Sequence, residues 1–214
     1  MRLKNMIIAF EGTDGSGKGT QAKKLFDYLT MNKKKAVLLD FPQYETPTGK
    51  KIREYLSGEK KLKPLEVARL FYNDQLAQKD YLIKMSKKGV IVILDRYTLS
   101  TKVYQGASLD GQERQELIST ITEWQKNLPK EDLTIVFDLP VEKSIERIIK
   151  RGRAMDIHEK NKQYLIRVHD LYIEAAKILD CPIISCVKGS YEKSVDEIFG
   201  EVLNIIKERT GLAF

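Results

Sequence analysis

The segment Ile7-Ile8-Ala9-Phe10-Glu11-Gly12-Thr13-Asp14-Gly15-Ser16-Gly17-Lys18-Gly19-Thr20-Gln21 constrains this chain most. A short apolar run meets three glycines and a lysine, and a helix-forming stretch begins at Gln21 and Ala22. Strand, glycine-rich loop and helix in that order are what a phosphate cradle requires, because backbone N–H groups converge at a helix N-terminus where the dipole favours an anion. Gly12, Gly15 and Gly17 remove side chains from the space the phosphates need, and Lys18 adds a point charge for the outer ones. The bland alternative is a glycine turn with an incidental lysine. The G-x-x-x-x-G-K spacing in this context favours a nucleotide site built from Gly12, Thr13, Asp14, Gly15, Ser16, Gly17, Lys18, Gly19 and Thr20. One position departs from the usual pattern: Gly19 fills the slot where Ser or Thr normally follows the lysine. Mg²⁺ is therefore expected to rely on waters, carboxylates and the nucleotide rather than on a loop hydroxyl.

Four more apolar runs resemble the first: Ala36–Asp40, Val90–Asp95, Leu133–Asp138 and Pro182–Val187. Several are continuous Val/Ile/Leu rather than alternating, as expected for strands buried on both faces of a parallel sheet. Three end in aspartate, which places carboxylates at the strand ends where open α/β sheets bind ligands. Helical spacing relates Leu65, Ala68, Phe71, Leu76 and Leu82 after Pro64, and it relates Leu165, Val168, Leu171, Tyr172, Ala175 and Leu179 later. Ile198, Val202, Ile205 and Ile206 mark a C-terminal helix. Strict β-then-α alternation predicts an α/β three-layer sandwich, a five-stranded parallel sheet with helices on both faces, as in the P-loop NTP hydrolase fold. Gly58–Lys63 and the stretch 150–160 read as surface excursions.

At 214 residues, one domain spanning 1–214 is the natural count. Lys and Arg number 37 against 30 acidic residues, a net +7 that suits polyanionic ligands. The lysines lie in short scattered runs, which read as solvated faces, so nucleic acid is not expected as a partner. Cys181 and Cys186 bracket a strand-like run of about 16 Å, beyond disulfide reach, which points to a reducing compartment. Only five residues precede the first strand, so no signal peptide is expected, and no apolar run is long enough for a membrane span. The expected location is cytoplasmic.

The run Val90-Ile91-Val92-Ile93-Leu94-Asp95-Arg96-Tyr97 carries a second motif. Asp95 stands where a carboxylate holds a Mg²⁺-bound water, and Arg96 can fork onto a second anion. A surface salt bridge at a strand end is the structural alternative. Taken together, Phe10 to Lys18, Phe41-Pro42, Asp95-Arg96-Tyr97, Leu99-Ser100-Thr101 and Tyr104-Gln105-Gly106 resemble the thymidylate kinase family over residues 6 to about 206. That resemblance implies transfer of the γ-phosphoryl of ATP to dTMP with Mg²⁺, and a homodimer formed through helices, to which an apolar Leu65–Met85 helix would contribute. It implies that Arg96 grips the acceptor phosphate, that Asp14 lies near acceptor and metal (with Asp95 the second metal carboxylate), that Phe71 stacks on the base, and that Tyr104 sits beside the sugar C2′. Phe41, Tyr44, Thr101 and Gln105 complete the implied substrate site. Read without the resemblance, Phe71 is core.

Gln75 replaces an arginine common in the family at the thymine O4; its carboxamide can donate to O4 and accept from N3–H together. Residues 147–160 resemble the family's lid, with Asp156 and Glu159 near the acceptor sugar. The loop Thr13–Ser16 contains no arginine, so the resemblance assigns transition-state charge to Arg151 or Arg153, beside Lys18, Arg96 and Asp14 as catalytic groups. The alternative is an ordinary basic helix end, in which Arg147, Lys150 and Arg151 complement the C-terminal dipole. His158 reads as solvent-facing. Rival readings are another nucleoside-monophosphate kinase, a P-loop switch, for which the Asn-Lys-x-Asp guanine signature is missing, and a nucleic-acid-dependent ATPase.

Overall fold

The computed structural model describes residues 6–152 and 154–212. Five strands, β1 (Met6–Gly12), β2 (Ala36–Asp40), β3 (Ile91–Asp95), β4 (Leu133–Asp138) and β5 (Ile183–Ser185), form one sheet in the order β2-β3-β1-β4-β5. Every pairing in it is parallel. The central β1 is buried along its whole length, which is why its sequence is continuous rather than alternating. Ile8 and Phe10 face one core with Leu25, Leu29, Val202 and Ile206, supplied by α1 (Lys18–Met31) and α9 (Val195–Thr210). Ile7 and Ala9 face the other, with Tyr72, Leu82, Val92 and Tyr97. The three-layer sandwich follows from that two-sided burial.

The second face carries α2 (Pro47–Leu56), α3 (Pro64–Ala77), α4 (Lys79–Lys87), α5 (Thr98–Gly106), α6 (Gly111–Gln125) and α8 (Lys162–Ile178), while α7 (Val141–Lys150) follows β4 beside the glycine loop. The register aligns Asp40 with Asp95 and Phe10 with Asp95, so the glycine loop after β1 and Arg96 after β3 leave the same sheet edge side by side.

Two expectations need correction. The apolar stripe predicted as one helix over Leu65–Met85 is two helices: at Gln78 the backbone N–H bonds to the Gln75 carbonyl at 3.1 Å, a tightened turn that ends α3 before α4 starts. The predicted strand Pro182–Val187 pairs only over Ile183–Ser185; Val187–Lys188 (β6) turns back antiparallel on Tyr191–Glu192 (β7). Among the described residues, no helix is long and apolar enough to cross a membrane, and both cysteines are free thiols.

Candidate active site

Gly17 closes the glycine loop as the N-cap of α1, at φ 94°, a left-handed conformation that a side chain disfavours. Lys18 is the first helical residue, so the N–H groups of the opening turn have no partners within the helix. The loop is held from outside by α7. Ser144 donates to the Asp14 carbonyl at 2.6 Å and its hydroxyl lies 3.2 Å from that of Thr13. One turn later, Arg147 donates to the Gly15 carbonyl at 3.2 Å while paired with Glu192 of β7 at 2.9 Å. Inside the loop the Ser16 hydroxyl is enclosed without a partner among the described residues. The buried Lys18 ammonium reaches the Thr13 carbonyl at 3.2 Å; burial first, then the Arg96 charge, lower its pKa.

Arg96 occupies a positive φ of 68°, uncommon for a non-glycine residue and typical of a site under constraint. Its guanidinium donates to the Gly12 carbonyl (3.2 Å), the Ser100 and Tyr172 hydroxyls (3.2 and 3.3 Å), the Tyr104 hydroxyl (3.1 Å) and Asp14 Oδ1 (2.8 Å). Asp14 Oδ2 accepts from the Tyr104 hydroxyl at 2.7 Å. Burial alone would push the Asp14 carboxyl up, but Arg96 and Lys18 outweigh it and hold it well below the usual carboxylate range. The phosphate loop and Arg96 are therefore in direct contact.

Beneath them lies Glu11, fully buried in β1. It accepts from the Tyr97 and Ser100 backbone N–H groups (2.8 and 3.2 Å), the Ser100 hydroxyl and the Tyr172 hydroxyl (3.1 Å). Those same two hydroxyls contact Arg96. Burial raises the Glu11 pKa against these hydrogen bonds.

The carboxylates differ in what they leave open. Asp95 packs against Gly19, its Oδ2 only 2.5 Å from where a Cβ on Gly19 would sit, and its Oδ1 has no hydrogen-bond partner among the described residues. An unpaired hard oxygen beside the loop suits Mg²⁺, which keeps most of its waters and takes one or two protein carboxylates. Asp14, expected at the metal as well, has both oxygens engaged by Arg96 and Tyr104. Among the described residues, no group of three or more His, Cys, Asp or Glu side chains gathers around a metal-sized point.

A cleft opens from Arg96 towards α2 and α3, bordered by Phe41, Tyr44, Phe71, Gln75, Thr101, Tyr104, Gln105, Asp156 and His158. Phe71 is half-buried on the cleft wall rather than core; its neighbour Tyr72 takes the core position. Phe41 packs against the Tyr97 ring at 5.7 Å, and the Arg53 guanidinium lies 5.1 Å from the Tyr44 ring centre. Gln75 donates from Nε2 to the Tyr97 carbonyl (2.9 Å) and the Thr101 hydroxyl (3.2 Å), leaving Oε1 without a partner among the described residues.

In the segment 147–160, Arg151 pairs with Glu159 at 2.6 Å, and Glu159 also accepts from the Asp156 backbone N–H at 3.1 Å. Asp156 accepts from the His158 and Glu159 backbone N–H groups, both at 2.8 Å. Burial, with the Asp14 and Glu159 charges adding to it, pushes its carboxyl up to about 6. Arg153 lies outside the described residues. His158, expected to face solvent, is buried and stacked on Tyr164. Sequence reasoning missed Glu11, Ser144, Arg147 and His158 as site residues. Only Glu11 left a signal, a charge inside a strand otherwise buried on both faces.

A glycine loop that opens a helix, an arginine in contact with it and a cleft running from that arginine match one class of protein: P-loop kinases that act on a nucleoside monophosphate. The thymidylate kinase family model matches residues 10–198, and the chain belongs to that family. It is 37% identical over 203 residues to a probable thymidylate kinase of Methanocaldococcus jannaschii, covering 95% of this chain and 98% of that one. It is 31% identical over 206 residues to thymidylate kinase of Thermosipho africanus, with 95% and 98% covered. The solved structure of thymidylate kinase from Candida albicans superposes with a TM-score of 0.79 at 27% identity, over 96% of this chain and 92% of that one.

Proposed function

We propose that this protein is a thymidylate kinase: it transfers the γ-phosphoryl of ATP to the 5′-phosphate of dTMP, giving dTDP and ADP. The observation that carries the reading is the Arg96 guanidinium, held 2.8 Å from Asp14 of the phosphate loop and 3.2 Å from the Gly12 carbonyl. A phosphate on Arg96 and a triphosphate tail in the loop then lie close enough for in-line transfer. A non-bridging oxygen of the acceptor phosphate attacks the γ-phosphorus, and the bond to the β,γ-bridging oxygen breaks as ADP leaves. The acceptor, with a second pKa of ~6, is largely dianionic at neutral pH and needs no general base. What the site supplies is charge to offset the repulsion of two polyanions: Lys18 on the donor side, Arg96 on the acceptor side, and an arginine of the 147–160 lid, Arg151 or Arg153, over the transferred group. Arg151 would exchange Glu159 for phosphate when the lid closes.

Mg²⁺ would be held by Asp95 and the nucleotide with its own waters, and when bound it neutralises phosphate charge. The base lies against Phe71. Gln75 Oε1, with no donor of its own left over, asks for an N–H on the base edge. Thymine and uracil present N3–H there, whereas cytosine presents a lone pair. The test is diphosphate formation from ATP and Mg²⁺ with dTMP, dUMP, dGMP, AMP and CMP in turn. The reading predicts dTMP first and dUMP second; a preference for AMP or CMP contradicts it.

A further inference from the structure

Two lysine runs that are far apart in the sequence are neighbours in the fold. Helix α1 ends at Met31, and Lys33, Lys34 and Lys35 lead from it into β2. Helix α4 ends at Lys87, and Lys88, Gly89 and Val90 lead from it into β3. Strands β2 and β3 are paired, and the Ile91 N–H bonds to the Lys35 carbonyl at 2.9 Å, so the two turns lie side by side. They sit where the strands begin, at the end of the sheet opposite the glycine loop and Arg96. With Lys84 they carry six lysines, five of them exposed and Lys34 half-buried. Among the described residues, none of the six ammonium groups has a hydrogen bond or an ion pair; Asp80, one turn before Lys84, leaves it unpaired.

Cations at helix ends complement the carbonyls there, which suffices for Lys84 and Lys87 in the last turn of α4. It does not suffice for Lys33. Helix α1 closes on a Schellman turn, in which the Lys34 N–H reaches the Leu29 carbonyl (2.9 Å) and the Lys33 N–H the Thr30 carbonyl (3.0 Å). That turn holds one residue in the left-handed region, and Lys33 stands there at φ 57°. Helix α4 closes on the same turn with Gly89 in that position, at φ 69°, the residue that takes it without a Cβ penalty. Among the described residues, three that are not glycine have a positive φ of this kind. Arg96 commits its side chain to the site, and Asp180 holds Arg209 at 2.8 Å. The charge of Lys33, kept where glycine is easier, is engaged by none of the described residues and points to a partner outside the molecule.

Six ammonium groups with no acid paired to them suit a polyanion. No arginine stands among them, so the surface has no fork for a base edge. Met31, the last residue of α1, is 83% exposed beside them, and Tyr81 of α4, three residues before Lys84, is 40% exposed. Lysines around an exposed apolar tip have the composition of an interfacial patch: ammonium groups meet anionic headgroups and the apolar side chain enters the boundary of the acyl chains. We propose that this end of the sheet docks the protein peripherally on an anionic lipid surface, with the six lysines against the headgroups and Met31 beneath them. The glycine loop and the cleft, at the other end of the strands, face away from that surface and stay open to nucleotides.

Co-sedimentation with vesicles tests this, using phosphatidylcholine alone and phosphatidylcholine mixed in equal parts with phosphatidylglycerol. The protein should pellet only with the mixed vesicles. Raising salt from about 0.1 to about 1 M should release it, as the Debye length falls from about 10 to about 3 Å. Lys33→Gly should weaken binding about fivefold, the share of one lysine at an anionic surface, while its melting temperature holds or rises because glycine suits the turn. Lys87→Ser combined with Lys88→Ser should weaken binding about 25-fold. Met31→Ser should weaken it without changing its salt dependence. Phosphorylation of dTMP in the absence of vesicles should match wild type in every variant. No pelleting with the mixed vesicles, or pelleting that the lysine substitutions leave unchanged, overturns the proposal. Tighter binding to duplex DNA than to the vesicles, at equal phosphate concentration, overturns it too and makes nucleic acid the partner. None of these outcomes bears on the kinase reading, which the phosphorylation assay decides separately.

Discussion

Gly19 stands where a hydroxyl-bearing residue usually follows the loop lysine, and the packing around it gives the reason. A Cβ there would come within 2.5 Å of Asp95 Oδ2, so the absent side chain leaves room for the carboxylate we assign to Mg²⁺. Gly19→Ala should displace Asp95 and raise the Mg²⁺ concentration for half-maximal rate about tenfold, the usual scale for disturbing groups around a metal. Thermal stability should hold or rise, since alanine is the better helix former. An unchanged Mg²⁺ dependence in steady-state assays would contradict the assignment of Asp95. Asp156 supports a second residue-scale prediction. Its carboxyl, raised from the ordinary Asp value to about 6, favours the folded state in its protonated form. That contribution is complete below about pH 4 and is lost as pH rises through 6. Asp156→Asn keeps an oxygen for the two backbone donors and removes the charge. It should therefore be more stable than the parent by about 2 kcal/mol at pH 7.5, with the difference closing towards pH 4. Urea titrations at the two pH values measure this, and a variant less stable at pH 7.5 refutes it.

At the scale of elements, α5 is positioned from beneath rather than by its own cap. Its N-cap, Tyr97, makes no side-chain capping bond, and Glu11 in β1 instead accepts the Tyr97 and Ser100 N–H groups. Strand, helix start and Arg96 are thereby tied through one carboxylate. Glu11→Gln turns one acceptor oxygen into a donor facing other donors and should cost about 2 kcal/mol. A melting temperature equal to that of the parent would remove Glu11 from this role. Such ties explain what the sequence disclosed and what it withheld. The five strands are legible because burial on both faces leaves unbroken apolar runs. The glycine loop and the Asp95-Arg96-Tyr97 strand end are legible because their chemistry is local. The break at Gln78 carries no glycine or proline to announce it, and Val187 is apolar whether it extends β5 or begins a hairpin. Ser144 and Arg147 serve the loop from more than 125 positions away (Ser144 to Asp14 spans 130, Arg147 to Gly15 spans 132), and no local pattern encodes that contact. His158 looks like any polar turn residue until Tyr55, Tyr104 and Tyr164 close around it.

For the whole molecule, the sheet order places β1 between β3 and β4, so the loop after one strand and the arginine after its neighbour emerge together. Helix α7, leaving β4 on the other side, braces the loop through Ser144 and Arg147. The fold thus brings the glycine loop and the Arg96 guanidinium into contact before any ligand arrives, so on the proposed reading the charges that would offset donor–acceptor repulsion are already in place. A linked ligand reports on that arrangement directly. An adenosine and a thymidine joined 5′ to 5′ through five phosphates should bind as one molecule per chain, at least 100-fold tighter than ATP or dTMP alone, because the second contact becomes intramolecular. Titration calorimetry should show most of that gain lost in Arg96→Ala. Binding no tighter than ATP, or a gain that survives loss of Arg96, would contradict the adjacent seating of the two phosphates.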